Sequence, residues 1–178
     1  MKKTILFLAL VALTGSVFAQ KKTTTAAVVA FDATTPKDKF PKAENKTGIA
    51  SIDTKSGAIA FEVAVANFAF ENPKIQEHFN SERWLNSAAF KSFSYKGKLK
   101  NPKAVNFAKD GTYTAEAEGE LTVKDKKQTI TTPVTIVVAG KSIKATSEFN
   151  LTLADYGVMA DGEKISKTPK VTVNAEFK

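Results

Sequence analysis

Residues 112–124, TYTAEAEGELTVK, decide the fold of this chain. Apolar or small residues occupy every second position from Tyr113 onward, and polar residues stand between them. A strict period of two is typical of an antiparallel strand with one dry face and one wet face. The same alternation recurs in residues 61–66, 143–153 and 171–177. The chain is therefore predicted to be all-β.

Short turn signals separate these segments and define an order of strands. Asp110-Gly111 is a strong hairpin signal, and Lys55-Ser56-Gly57 and Ala139-Gly140-Lys141 mark two further reversals. The predicted strands lie near residues 49–53, 58–67, 104–108, 112–124, 129–138, 142–154 and 171–177. About eight strands with short connections predict an extended antiparallel up-and-down barrel, because closing the sheet removes its edges.

One segment, between Asn72 and Phe90, breaks the period of two. Apolar residues recur there at helical spacing, Asn72 is suited to cap a helix, and Pro73 is suited to begin one. We therefore predict a short helical insertion between two strands.

Residues 1–19 have the features of a signal peptide. Two lysines precede an apolar run, residues 5–13, that is too short to span a bilayer. Val17 and Ala19 supply compact side chains at the two positions that determine cleavage. We expect cleavage after Ala19 and a periplasmic or secreted product.

The remainder of the chain reads as one domain. Residues 20–25, QKKTTT, are expected to be a disordered start, and residues 26–178 to form a single barrel domain. A length of 178 residues with 43% hydrophobic content suits one buried core.

The composition excludes most catalytic chemistries. The chain has no cysteine and a single histidine, His78, so thiolate or multi-histidine metal sites and cysteine nucleophiles are ruled out. The sequence also lacks a glycine-rich phosphate loop and any pair of residues that could act as nucleophile and base. We expect a protein that is not an enzyme and that holds no metal or cofactor.

The charge is positive and comes mainly from lysine. Without residues 1–19 the chain keeps 24 of its 26 cations against 18 acidic residues, and Arg83 is its one arginine. Nucleic-acid readers rely on arginine for bidentate contacts, so no nucleic-acid partner is expected. A solvated lysine-rich surface or transient contact with an anionic membrane surface accounts for the charge. The sequence gives no signal for the oligomeric state.

The inward faces of the predicted barrel allow two interiors. A barrel of about eight strands fills itself with side chains or encloses one small ligand. Large residues such as Phe149 alternate across strands with small ones such as Ala117 and Gly119. Either phenylalanines from facing strands or an apolar ligand occupy the room beside the small residues.

Residues 60–99, AFEVAVANFAFENPKIQEHFNSERWLNSAAFKSFSYKGKL, resemble the YceI-like family of exported lipid-binding proteins. The segments that carry the resemblance are QEHFN at 76–80, SAAF at 87–90, SFSYKGKL at 92–99, EGELTVK at 118–124 and TPKVTVNAEF at 168–177. Their order and spacing match the family over nearly all of residues 26–178.

The resemblance implies a lipocalin-like barrel whose lumen holds a long isoprenoid or a similar amphiphile. The candidate residues of the lumen wall are Phe61, Val63, Val65, Phe68, Phe70, Phe149, Leu151 and Leu153. The candidates for a helical lid are Phe79, Trp84, Leu85 and Phe90, and His78 beside them is either a packing histidine or a polar contact at the ligand mouth. The same residues would form an ordinary core if the barrel filled itself. The alternative function is therefore a structural or interaction barrel of the cell envelope that binds no ligand.

Overall fold

The computed structural model describes residues 20–178, so the predicted signal peptide, residues 1–19, lies outside the described residues. The strands are β1 (Lys21–Asp32), β2 (Lys42–Asp53), β3 (Ala58–Ala64), β4 (Ala69–Phe70), β5 (Ser92–Leu99), β6 (Gly111–Val123), β7 (Lys126–Ala139), β8 (Ser142–Asn150) and β9 (Lys170–Phe177). The helical elements are α1 (Pro73–Asn80) and three short 3-10 helices, Val65–Asn67, Pro102–Ala104 and Leu153–Tyr156. Over residues 20–178, no helix is long and apolar enough to cross a membrane.

Eight strands form a closed antiparallel barrel in which each strand pairs with its neighbours along the chain. The order is β1-β2-β3-β5-β6-β7-β8-β9, and β1 pairs with both β9 and β2. The short strand β4 adds to β2, with Phe70 opposite Ala43. The predicted all-β up-and-down barrel is confirmed.

The alternation that predicts the fold separates the two faces of β6. Ala117 and Val123 are buried, whereas Glu116, Glu118 and Glu120 are exposed. On the outer face, the carboxylate of Glu120 accepts a hydrogen bond from Lys127 at 2.9 Å. The polar residues of this strand therefore form a wet outer face.

The prediction of a disordered start at residues 20–25 is wrong. Lys21 begins β1 opposite Asp53 of β2, and Thr24 lies opposite Ala50. The Nζ of Lys22 also donates a hydrogen bond to the carbonyl of Lys141 at 2.7 Å. This stretch is ordered by backbone pairing that closes the barrel, and such pairing leaves no apolar pattern in the sequence.

The predicted strand at residues 104–108 is also wrong. Pro102 begins a 3-10 helix, and turns follow it up to β6. Val105 is buried and Phe107 packs beside it at the end of the barrel. The alternation of Val105 and Phe107 therefore reflects packing against the barrel core and not strand pairing. The strand predicted at 142–154 is shorter, because β8 ends at Asn150.

The helical insertion lies where the sequence predicts it. In α1 the Asn72 side chain accepts a hydrogen bond from the backbone N–H of Lys74 at 3.0 Å, and Pro73 is the first helical residue. Hydrogen-bonded turns, with no further α-helix, carry the described chain from Asn80 to Phe90. Residues 71–91 are called the lid below, because they cover one end of the barrel.

The two ends of the barrel differ in charge. The connections at the lid end, residues 33–41, 65–91, 124–125 and 151–169, contain eight cationic and eight acidic residues. The connections at the opposite, closed end, residues 54–57, 100–110 and 140–141, contain five lysines and one aspartate. The excess of positive charge in the connections therefore lies at the closed end.

Two glycines bring β5 and β6 unusually close together. Gly97 lies opposite Gly119, and a Cβ on Gly119 would collide with the backbone of Gly97 and Lys96. A Cβ on Gly97 would lie 2.5 Å from the phenol oxygen of Tyr95. The room that small residues leave at this position is therefore taken up by backbone and by the Tyr95 ring.

We expect Gly119→Ala to destabilise the barrel by about 1–3 kcal/mol, the usual cost of overpacking a fitted site. The control is Thr114→Val on the exposed face of the same strand, which should change stability by less than about 0.5 kcal/mol. Urea denaturation of both variants measures the difference. Equal midpoints for Gly119→Ala and the parent would contradict the close approach.

Candidate functional site

The barrel encloses a cavity of about 160 Å³ that runs through most of its interior. Its lining extends from Trp84 in the lid to Phe177 at the end of β9, and it includes residues of both hydrophobic core clusters. Ala117 of β6 and Ala145 of β8 belong to the lining, so small side chains leave part of this space open. The barrel is therefore not completely filled by its own side chains.

The wall of this cavity is apolar. Of the residues that the structure describes, no charged side chain belongs to the lining. The hydroxyl of Thr146 donates to Asn174 at 2.9 Å, and the hydroxyl of Ser147 donates to the carbonyl of Pro133 at 2.7 Å. A site of this kind selects ligands by shape and dryness, because it offers no ion pair.

Phe79 of α1 is the central contact between the lid and the barrel. It is 2% exposed, and its ring centroid lies 6.1 Å from that of Phe31, 5.5 Å from Phe68 and 4.9 Å from Phe70. Trp84 completes the cluster at 5.6 Å. Burial of these rings holds the lid over the cavity without a covalent link.

Two hydrogen bonds join the lid to neighbouring loops. The indole Nε1 of Trp84 donates to the carbonyl of Met159 at 2.9 Å, and the Nζ of Lys124 donates to the carbonyl of Trp84 at 3.0 Å. The first bond reaches the loop before β9, and the second reaches the turn between β6 and β7. The lid is thus fastened at its edge by single hydrogen bonds that can break and re-form.

Buried Asn45 anchors the end of β3, close to the start of the lid. Its Nδ2 donates to the carbonyl of Ala64 at 2.8 Å, and its Oδ1 accepts from the backbone N–H and the hydroxyl of Thr47. That hydroxyl accepts in turn from Asn67 at 2.9 Å. All these groups are satisfied, so the network keeps the end of β3 in place.

Most of the sequence-predicted wall and lid residues meet at the cavity. Those that line it are Phe61, Val63, Phe68, Phe79, Trp84, Leu85, Phe149, Leu151 and Leu153. The structure does not bring the remaining four to its lining: Val65, Phe70, His78 and Phe90. Their surroundings show what they do instead.

These four residues pack in or beside the lid, outside the cavity lining. Val65 is fully buried in the core cluster at the lid end, and Phe70 packs against Phe79. His78 is exposed and stacks on Trp84, with ring centroids 6.0 Å apart. Phe90 is half-buried, with the Nζ of Lys124 5.7 Å from its ring centroid.

Sequence reasoning missed lining residues on several strands. They include Val29 and Phe31 of β1, Ile52 of β2, Val134 of β7, and Val171 and Val173 of β9. The period of two marks most of them as inward-facing, so the same signal could have found them. Tyr156 and Val158 carry no such signal, because Tyr156 ends the 3-10 helix Leu153–Tyr156 after β8 and Val158 lies in the loop that follows it.

Two tyrosines, Tyr95 and Tyr156, add phenol hydroxyls to the lining. Burial raises the pKa of Tyr95, with a smaller effect from the charge of Glu118. Burial also raises the pKa of Tyr156 from 10.0 to about 12, with a smaller effect from Asp155. Both phenols are buried, so the ionised form of each is disfavoured in the fold.

A family model for the YceI-like domain matches residues 16–177. The match covers most of the chain, and the chain therefore belongs to the YceI-like family. This is a family of barrel-shaped binding proteins and is not a known enzyme family. No curated protein matches the sequence.

Solved structures share the fold at low sequence identity. The polyisoprenoid-binding domain from Saccharophagus degradans has a TM-score of 0.75 at 12% identity, over 89% of this chain and 98% of its own. BcnA from Burkholderia cenocepacia has a TM-score of 0.71 at 14% identity, over 84% of this chain and 95% of its own. The YceI protein from Campylobacter jejuni has a TM-score of 0.59 at 13% identity, over 78% of this chain and 82% of its own.

The buried phenol of Tyr156 predicts a loss of stability in alkali. Its pKa is 10.0 when exposed and about 12 in the fold, so its contribution is complete below pH 10 and disappears as the pH rises toward 12. We expect Tyr156→Phe to lose less stability than the parent between pH 9.5 and 11.5, a range set by these two values.

Urea midpoints at the two pH values test this expectation. Tyr113→Phe is the control, because Tyr113 is half-exposed and its hydroxyl donates to the carbonyl of Lys109 at 2.9 Å. Each variant differs from the parent at one side chain only, so the comparison isolates the Tyr156 phenol. If Tyr156→Phe and the parent lost equal stability between the two pH values, ionisation of the Tyr156 phenol would not destabilise the fold.

Proposed function

We propose that this protein is an exported carrier that holds an apolar lipid of the polyisoprenoid type in the barrel lumen, for transport, storage or sequestration. The observation that carries the proposal is the cavity of about 160 Å³, to whose wall residues 20–178 contribute no charged side chain, under a lid of aromatic residues. Membership of a family of binding barrels supports it. The similar fold of the Saccharophagus degradans polyisoprenoid-binding domain supports the lipid class.

The energetics of such a site are those of hydrocarbon burial. Each methylene removed from water contributes about 0.8 kcal/mol. About ten methylenes would contribute about 8 kcal/mol, which corresponds to a dissociation constant of roughly 1 μM before the cost of ordering the chain. A long isoprenoid needs no strong polar contact to bind tightly.

Entry of a lipid requires movement of the lid. Phe79, Trp84 and Leu85 belong both to the lid and to the cavity wall, so they cover the lumen at this end. Breaking the hydrogen bond from Trp84 to Met159 would free the edge of the lid from the loop before β9. Removal of apolar rings from their cluster is the main cost of opening, and an entering chain would replace those contacts.

The sequence of residues 1–19, which has the features of a signal peptide, supports export. Cleavage after Ala19 would leave a chain that begins at Gln20, immediately before β1. The product would be periplasmic or secreted.

We propose that contact with an anionic membrane surface uses the closed end of the barrel. Of the five lysines in its connections, Lys100 forms ion pairs within the described chain, whereas Lys55, Lys103, Lys109 and Lys141 form none. Asp110, the one acidic residue there, accepts a hydrogen bond from the N–H of Gly140 at 2.8 Å. These lysines are therefore free to interact with phosphate groups.

Replacement of Lys55, Lys103 and Lys141 by glutamine should weaken binding to vesicles of anionic phospholipid. Each lysine near such a surface contributes about 1 kcal/mol, so the triple variant should bind about 100-fold less tightly at low salt. The matched control replaces Lys39, Lys74 and Lys164 in the connections at the lid end. Vesicle sedimentation measures both, and an equal loss in the control would contradict an oriented contact.

The alternative function is a self-filled barrel that acts as a structural or interaction protein of the envelope. It shares the fold but predicts that nothing is bound inside. Native mass spectrometry of protein purified gently from its own cell envelope separates the two functions. We expect a bound lipid mass on a chain that begins at Gln20.

Ala117→Phe places a ring in the cavity from the small inward row of β6. We expect this variant to melt near the parent temperature and to lose the lipid mass, because the ring enters space that the chain would occupy. Thr114→Phe places the same ring on the exposed face of the same strand and should retain the lipid. If the site were fully packed, Ala117→Phe would cost about 1–3 kcal/mol. Such a loss, with no bound mass on the parent, would contradict the carrier.

A further inference from the structure

Gln20, the first described residue, lies in a recess at the closed end of the barrel. The proposed cleavage after Ala19 would make Gln20 the first residue of the exported chain. Gln20 is half-buried and lines this recess together with Thr54, Lys55 and Lys103. The new chain end would therefore belong to a folded surface, where its charge and its reactivity matter.

Two hydrogen bonds hold the backbone of Gln20 against the barrel. Its carbonyl accepts from the backbone N–H of Thr54 at 2.8 Å and from the Thr54 hydroxyl at 3.1 Å. The next residue, Lys21, begins β1 opposite Asp53. The ends of most domains are poorly ordered, but this one is tied to a turn. Within residues 20–178 no hydrogen bond engages the side-chain amide of Gln20, so that amide is free to react.

The recess is unfavourable for a charged chain end. Lys55 and Lys103 already bring positive charge to it, and neither forms an ion pair within the described chain. The Oδ1 of Asp53 accepts hydrogen bonds from the backbone N–H groups of Lys55 at 2.9 Å and Ser56 at 2.7 Å, so the turn already engages this carboxylate. An α-ammonium group on Gln20 would add a further positive charge and raise the free energy of the native state.

The same recess suits a neutral ring. Val105, Phe107 and Ala108 line it with apolar carbon atoms. Closure of an N-terminal glutamine to a lactam exchanges an ammonium group for an uncharged amide and keeps the aliphatic carbons of the side chain. Burial of an amide beside apolar groups is much less unfavourable than burial of a charge.

We propose that Gln20 is a modification site, at which the end of the exported chain closes to pyroglutamate and the lactam ring lies in the recess beside Lys55 and Lys103. The inference rests on the proposed cleavage after Ala19 and concerns a residue that does not line the lumen. The ring leaves the exported protein with one positive charge fewer and with no free α-amino group for an aminopeptidase to bind.

The reaction needs only atoms of Gln20. The uncharged α-amino nitrogen attacks the side-chain carbon Cδ, and a new N–Cδ bond forms. The Cδ–Nε2 bond breaks, and Nε2 leaves as ammonia with the proton that the α-amino nitrogen gives up. Nothing is oxidised or reduced. The hydrogen bonds from Thr54 engage the backbone carbonyl, which takes no part in the ring, so ring closure leaves them in place.

The mass of the exported protein tests the modification. Protein purified from its own compartment should weigh one ammonia less than residues 20–178 and should be blocked to sequencing from its N-terminus. Gln20→Asn is the matched control, because its shorter amide side chain cannot close an unstrained ring, and it should keep a free α-amino group. A chain that begins at Gln20 and keeps its amide after storage at neutral pH would overturn the modification and leave export standing. A chain that begins at another residue would overturn the proposed cleavage site as well.

The stability of the open and closed forms tests the place of the ring. The open form is released from an N-terminal fusion by a protease that cuts before Gln20 and is measured at once, and the closed form is the same sample after ring closure. We expect closure to raise the urea midpoint by roughly 0.1–0.5 M at low salt, the size expected for a partly exposed charge interaction. The gain should vanish at about 1 M salt, where the screening length is about 3 Å.

Two double variants locate the effect. Lys55→Gln combined with Lys103→Gln should abolish the gain, whereas Lys39→Gln combined with Lys164→Gln, at the lid end, should retain it. Equal midpoints of the open and closed parent at low salt would overturn the placement of the ring beside the two lysines. Persistence of the full gain in the first double variant would overturn it too.

Discussion

Pairing of β1 with β2 is the constraint on which the rest of the structure depends. It turns a sheet of consecutive strands into a closed wall, so that every inward side chain faces another inward side chain across a narrow lumen. Side chains that face this lumen are removed from bulk water, and such burial favours apolar residues. The lid then covers one end of the lumen, and the rings of Phe68 and Trp84 pack against Phe79 to hold it there.

The sequence predicts the wall well and its closure poorly. A period of two on β6 correctly assigns Ala117 to the interior and Glu118 to the surface, because side chains of a strand alternate between its faces. It cannot identify Lys21–Thr25 as a strand, since backbone pairing orders those residues. The same period also predicts a strand at Val105 and Phe107, where the two side chains pack against the barrel core outside any strand.

The candidate site is predictable as far as it is hydrophobic. Phe61 and Leu153 are found from the sequence because a cavity wall and a core have the same alternation. The polar part is not predictable, since periodicity says nothing about whether a hydroxyl has a partner. Tyr156 lies in a 3-10 helix outside the strands, and the phenol oxygen of Tyr95 lies beside Gly97.

The lining of the cavity and the two hydrophobic clusters are largely the same residues, which makes occupancy a thermodynamic property of folding. A molecule held there stabilises the native state by about 2.7 kcal/mol when its free concentration is 100 times the dissociation constant. If the proposed lipid binds, the empty barrel would unfold more often and would be cleaved sooner by proteases. The amount of intact protein would then follow the supply of its cargo, without a separate sensor.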